Sequence, residues 1–335
     1  MKTIIRQLIH SIALGTVLPG MLFGAVSDYT ATPVLKPQGS TPADPTTITQ
    51  PLQQGPMQEP DLLMIPVLMG DGTVESMALE EYVSRVVLGE MPASFEKEAL
   101  KAQAVAARTY TLHCVVTAKK HSQGAVCTDH RCCQAYRDPE DYLQKGGTKE
   151  NVDKVYDAVS QTEAEVLLYD GKLIMATYFA SAGGTTEDAQ EVWGNPIPYL
   201  TVVSSPEGDD AFNDEILRFS AKEFQDKMGV TLKGKPENWF GRVSYTVGGG
   251  VDWMRIGGTL YSGVDLRSRL GLRSTDFTVT TTDDSVVITT NGYGHRVGMS
   301  QYGADAMAVQ GSEYDQILAH YYPGTELAIY QPDKH

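Results

Sequence analysis

The stretch Leu79-Glu80-Glu81-Tyr82-Val83-Ser84-Arg85-Val86-Val87-Leu88-Gly89-Glu90-Met91-Pro92 decides how the folded part of this chain is built. Apolar residues at 79, 82, 83, 86 and 87 have the spacing of one buried helical face. Pro92 stops that helix, because the residue before a proline is pushed out of the α region. Glu90 is left at the C-terminal end of a partly buried helix. There the helix dipole disfavours the ionised carboxylate, and burial raises its pKa further. A carboxyl group held partly protonated near neutral pH is what a general acid needs. The alternative is a solvated Glu at a frayed helix end, which costs only about 0.3–1 kcal/mol.

A second helix is expected over residues 95–119, with Ser94 as its N-cap and Glu96 and Glu98 in its first turn. Its centre, Ala99 to Tyr110, holds five alanines, which favour the helix and let neighbours approach its backbone. Lys101, Ala104, Arg108 and Thr111 share one stripe. Two cations on that stripe can hold an anion or orient a carboxylate, or can simply face solvent. Beyond lies a loop in which His121, Cys127 and Cys133 recur at six-residue intervals, with His130 and Cys132 as further candidates. Sulfur and imidazole donors packed this closely suit zinc. The alternative is a disulfide using Cys114 or Cys132, which an exported chain permits.

Outward from this centre, Lys2 and Arg6 precede an apolar run from Leu8 to Val26. That is the pattern of an export signal or a single membrane anchor. Residues 28–60 carry seven prolines among Thr, Gln and Gly, a composition that cannot bury a core and predicts a disordered spacer. The folded part then occupies 61–335. A hairpin over 62–77 feeds the Glu90 helix, a third helix spans 151–161, and a second hairpin, 164–179, turns at Asp170-Gly171. Gly183-Gly184 opens the backbone so that its amides can face a ligand, but no Lys-Ser/Thr follows to make a phosphate loop. Trp193 and Tyr199 are sugar platforms or core. Further on, a helix is expected over 219–228, a hairpin around Asp283-Asp284, and helices over 304–310 and 314–321. These elements predict an α+β protein with helices early and strands late. The net charge of −15 over 335 residues argues against nucleic acid or an anionic membrane surface as a partner.

Five blocks resemble one family. They are Gly89-Glu90-Met91-Pro92, then Glu98 to Tyr110, then Cys127 to Tyr136. The fourth is Tyr178-Phe179-Ala180-Ser181-Ala182-Gly183-Gly184 with Glu191-Val192-Trp193-Gly194, and the last is Gly294-His295-Arg296-Val297-Gly298-Met299-Ser300-Gln301-Tyr302-Gly303-Ala304. In chain order, from about 62 to 328, they resemble the stage II sporulation protein D family, lytic transglycosylases of spore-forming bacteria. The resemblance implies a two-lobed domain of helices and antiparallel β hairpins around a central cleft, carried on an uncleaved anchor (1–27) and the spacer (28–60). It implies that Glu90 protonates the glycosidic oxygen between muramic acid and the next glucosamine. Glu90 then acts as base on the C6 hydroxyl, closing an anhydro ring. Lys101, Gln103, Arg108, Tyr178, Ser181, His295 and Gln301 would line the cleft.

By the same resemblance His121, Cys127 and Cys133 match zinc-ligand positions, with water, Cys132 or His130 as the fourth donor. The metal would staple the loop and take no part in catalysis. Arg296 stands where relatives commonly have Gly; at positive φ it would cost about 1–2 kcal/mol. The implied partners are glycan strands lacking stem peptides and the stage II sporulation proteins P and M. The implied location is the cell membrane, crossed once, with the catalytic domain between mother cell and forespore. Two other functions compete. One is a non-catalytic wall-binding module that enhances an amidase. The other is a zinc or thiol enzyme built on Cys114, Cys127 or Cys133 with His113, although His113 and Cys114 are adjacent and face different directions.

Overall fold

The computed structural model describes residues 32–33, 62–118, 120–121, 124–208 and 212–332. The expected anchor and all of the expected spacer except Thr32–Pro33 lie outside them. Among the described residues no helix is long and apolar enough to cross a membrane.

Thr32–Pro33 (β1) pairs antiparallel with residues 328–329 near the other end of the chain. Met64–Leu68 (β2) and Val74–Ala78 (β3) form the first hairpin and run straight into Leu79–Glu90 (α1). Leu79, Tyr82, Val83, Val86 and Val87 are all buried, so the apolar stripe is the packed face. Lys97–Leu112 (α2) starts later than expected, and Ser94 is not its cap. The carboxylate of Asp305 instead accepts the Glu96 amide at 2.7 Å, so a distant residue takes the local role. Past Leu112 the chain widens into a π-helix, His113–Ala118. Val126–Cys127 (β4) lies parallel to β2.

Pro139–Gln144 (α3), capped by Asp138, is a helix that periodicity did not reveal. Thr148 caps Lys149–Ser160 (α4). Glu165–Tyr169 (β5) and Lys172–Leu173 (β6) turn through Asp170 (φ 49°) and Gly171 (φ 72°), the two left-handed residues of a tight hairpin. The expected second strand breaks after Leu173, because Ile174, Met175 and Ala176 turn into the core. Tyr178–Phe179 (β7) is thereby freed to pair elsewhere. Ala189–Trp193 (α5) follows.

Glu215–Ser220 (β8) takes Phe219 and Ser220 from the expected helix, and Ser220 closes a capping box with Glu223 at the start of Ala221–Met228 (α6). Phe240–Tyr245 (β9), Val251–Ile256 (β10) and Thr259–Ser262 (β11) make one antiparallel sheet. After Gly263–Leu270 (α7), Phe277–Thr281 (β12) and Ser285–Thr290 (β13) form the expected hairpin and add β8 at the far edge of β13. Met299–Ser300 (β14) pairs in parallel with β7. Gln301–Val309 (α8) begins three residues before expectation because Ser300 caps it. Tyr314–Tyr321 (α9) and Glu326–Ile329 (β15) follow.

The fold is mixed α+β, with two hydrophobic cores. The first surrounds α2 and gathers α1, α4, β5 and the returning helices α8 and α9. The second holds residues 219–288 around Phe224, Trp239, Leu266 and Phe277. Helices and strands are therefore not segregated along the chain, since the C-terminal helices close the core that the N-terminal ones open.

Candidate acid site and metal group

Glu90 is the last residue of α1 and keeps part of its surface open to solvent. Gly89 shapes its surroundings. A Cβ there would lie 3.0 Å from the Tyr136 amide nitrogen, so glycine lets the 135–136 backbone settle closer to the helix end than a side chain would. From that position the Ala135 N–H donates to Glu90 Oε1 at 2.5 Å, and the Gln301 side chain bonds the same carboxyl. Burial pushes the Glu90 pKa up to about 7, and these two hydrogen bonds, which favour the ionised form, offset only part of that rise. Acid and base forms are thus both populated near neutral pH.

A polar group surrounds this carboxyl. Gln301 Nε2 donates to Gln103 Oε1 at 3.4 Å, both residues being buried. The Gln103 Nε2 atom has no hydrogen-bond partner among the described residues. Tyr178 donates its hydroxyl to Gln134 Oε1 at 2.7 Å, and Gln134 Nε2 donates to Thr111 Oγ1 at 2.9 Å. Burial first and the Glu90 charge second hold the Tyr178 phenol well above its ordinary pKa. The β7–β14 ladder sets Met299 beside Tyr178 and Ser300 beside Phe179. Gly298 makes that ladder possible: its φ is 88°, and a Cβ would lie 2.0 Å from the Thr177 carbonyl oxygen.

The remaining expected cleft residues fall into other groupings. Ser181 donates its hydroxyl to Glu207 at 2.6 Å. His295 packs its ring against Phe179 and Trp193, with centroids 5.6 and 5.5 Å away. Burial, then Arg267, drives its pKa down to about 3, so the imidazole is neutral and its Nδ1 accepts the Val297 amide. Lys101 pairs with Glu98 at 2.9 Å and lies 4.2 Å over the Tyr314 ring. Arg108 is fully buried and forks onto the two oxygens of Glu80 at 2.8 and 2.6 Å. Gln103 and Gln301 are thus joined to Glu90 or its partner and Tyr178 to Gln134 beside Ala135, whereas Arg108 serves an interhelical pair with Glu80 and Lys101 a pair with Glu98 within α2. Tyr199 takes the Met175 amide on its hydroxyl and packs on Tyr169. Gln134 went unnoticed in the sequence, although it sits in the block from Cys127 to Tyr136; Glu207 lies in a loop with no pattern to flag it.

The same loop holds a second constellation. Donor atoms of His121, Cys127, Cys132 and Cys133 all lie within 4.8 Å of one another. His121 Nε2 is 3.4 Å from both Cys132 Sγ and Cys133 Sγ. His130 stands apart from the group, 3.8 Å from Asp129. All four cysteines of the chain are free, and Cys114 lies outside the group. The hydrogen bond with Cys133 chiefly pushes the Cys127 thiol pKa down, which favours the thiolate that a metal takes. One imidazole and three sulfurs fit a metal that takes four N/S donors.

A family model described as Stage II sporulation protein matches residues 70–169, which span α1, α2 and the His/Cys loop. Stage II sporulation protein D of Bacillus subtilis (strain 168) is 39% identical over 262 residues, covering 76% of each chain. The protein of the same name from Bacillus amyloliquefaciens is 40% identical over the same length. An amidase enhancer of Bacillus subtilis is 31% identical over 304 residues, which is 73% of this chain and 40% of that protein. With Glu90, the His/Cys loop and the 294–304 segment all inside one fold, the chain belongs to the stage II sporulation protein D family.

Proposed function

We propose that this protein is a peptidoglycan lytic transglycosylase acting in sporulation, with Glu90 as its acid and base. One observation carries the reading: a carboxyl at a helix end, held by two hydrogen bonds, with its pKa pushed up to about 7. Protonated, Glu90 gives its proton to the oxygen between muramic acid and glucosamine. The step leaves it ionised, and the carboxylate then takes the proton of the muramic C6 hydroxyl as that oxygen closes the anhydro ring. One residue serves both steps because the first resets it for the second. Gln103, Gln301 and Tyr178 supply fixed polar groups beside the reacting atoms. Neutral His295 buttresses the aromatic wall and does not exchange protons near pH 7.

In this reading the substrate is a glycan strand lacking stem peptides, bound in a cleft between the two cores. The four donors His121, Cys127, Cys132 and Cys133 hold a structural zinc. A bound zinc would cross-link the loop; it supplies no reacting water, because four protein donors already fill its usual coordination. The chain works from the membrane, tethered through its N-terminal segment between mother cell and forespore, with stage II sporulation proteins P and M as partners.

The amidase-enhancing module is the second reading, supported by the amidase enhancer relative. Purified protein on denuded glycan strands, with products resolved by mass spectrometry beside Glu90→Gln, separates the two. Anhydromuramic ends that vanish in the variant establish the transglycosylase. Reducing ends mean a hydrolase, and an absence of products in the presence of glycan binding favours the enhancer.

A further inference from the structure

The carboxylate of Glu207 accepts five hydrogen bonds. They come from Ser181 Oγ (2.6 Å), Ser300 Oγ (2.6 Å), Ser205 Oγ (3.2 Å), the Ala182 amide (2.5 Å) and the Gly183 amide (3.1 Å). The three serines are buried. Successive amides and converging hydroxyls form a nest for an anion, and here the anion is a side chain of the chain itself. A loop carboxylate needs no such number of donors to stay solvated. The donors come from three separate segments, and what those segments carry is informative. Ser181 lies three residues beyond Tyr178. Ser300 is the N-cap of α8 and directly precedes Gln301, whose side chain bonds Glu90.

We propose that Glu207 is a positioning residue for the acid site, its carboxylate fastening the strand that bears Tyr178 to the helix start that bears Gln301. This rests on Glu90 being the acid, but its test does not need catalysis. A neutral amide cannot replace the carboxylate, because its NH₂ would face donors. Removing the side chain leaves a vacant nest of carboxylate size. Losing Gln301 from Glu90 removes a hydrogen bond that favours the ionised form, so the Glu90 pKa must rise.

The experiment follows the Glu90 side-chain carboxyl by NMR titration in the full chain carrying ¹³C-labelled Glu. Wild type, Glu207→Gln and Glu207→Ala are compared, the last with added acetate or with chloride at equal ionic strength. In both variants the midpoint should move up by about half a unit or more. Acetate, not chloride, should bring Glu207→Ala back toward wild type and raise its melting temperature. A Glu90 titration that is the same in all three proteins overturns the proposal, as does a shifted one that acetate leaves untouched. Product analysis of wild type tests the acid role of Glu90 separately, so the two ideas can fail independently.

Discussion

Arg296 offers the sharpest test of how the two cores are joined. Its φ is 64°, in the left-handed region, where an L side chain costs about 1–2 kcal/mol. Glycine would relieve that strain, but the guanidinium is fully buried and committed on every side. Nε donates to the Ala182 carbonyl at 2.8 Å, Nη1 to Glu187 Oε1 at 3.1 Å, and Nη2 to the carbonyls of Thr185 and Gly248 at 2.9 and 2.8 Å. Asp276 Oδ2 lies 3.7 Å away. Glu187 is equally buried, so Arg296→Gly leaves its carboxylate without a countercharge, held only by the Thr246 hydroxyl and the Gly250 amide, and strips the donor from the Ala182 and Thr185 carbonyls. Removing one partner of such a pair costs roughly 3–5 kcal/mol. Against the relieved strain, the net loss is about 1–4 kcal/mol. Lysine keeps the charge and the strain but cannot span the fork, so Arg296→Lys should also lose stability. Urea unfolding of wild type and both variants measures this. An Arg296→Gly protein as stable as wild type, or more so, refutes the reasoning, because strain would then outweigh the network.

Glu90→Gln should lower glycan cleavage by roughly 10²–10⁴-fold or more. In wild type the chemical step should slow as pH rises through about 7, since the acid must enter protonated. Stability should follow the same group. A carboxyl whose folded pKa exceeds its unfolded value binds more protons folded than unfolded, so its contribution falls as pH rises from about 4.5 through about 7. Relative to wild type, Glu90→Gln should therefore gain up to about 3 kcal/mol between pH 5 and pH 8, read from urea curves at both; a pH-independent difference would show that Glu90 titrates normally. Gly89→Ala should push the 135–136 backbone back by a few tenths of an ångström, lengthen the Ala135 bond and move the Glu90 midpoint upward in an NMR titration. Arg108→Ala should destabilise by roughly 3–5 kcal/mol through the stranded Glu80 carboxylate, without altering the Glu90 midpoint.

The helices and hairpins were legible where local rules act alone. The stripe of α1 and the Asp170-Gly171 turn both appear where periodicity and turn chemistry put them. What failed is what depends on a remote partner. Ser94 looked like a cap, yet Asp305 takes that role. Lys101 and Arg108 do share a stripe, and Glu98 beside Lys101 was legible on it, but a helical wheel says nothing of what faces it, and Tyr314 and Glu80 were the residues waiting there. Gln103, on another face of the same helix, is the one linked to Gln301. Glu90 was legible because its position is set by its own helix and by Pro92. Gln134 and Glu207 were not, since nothing local distinguishes a loop Gln or Glu that finds its donors far along the chain.

The metal group and the acid are connected through very little chain. Cys133 is the last of the four donors, Gln134 next to it holds the Tyr178 hydroxyl, and Ala135 after that donates to Glu90. Any slack in this loop reaches Glu90 within two residues. A structural zinc held there would therefore have a chemical consequence without touching substrate: stripping it should loosen the Ala135 bond, which favours the ionised carboxylate, and raise the Glu90 pKa. Chelation followed by NMR titration of Glu90 checks this. The donor set is checked by metal content, which Cys132→Ser should lower and His130→Ala should leave unchanged, since only Cys132 lies within the group. A metal-stripped protein whose Glu90 titrates as before would mean that the loop keeps its shape through its protein contacts, the β2–β4 pairing and the Tyr82, Thr111 and Tyr178 bonds among them.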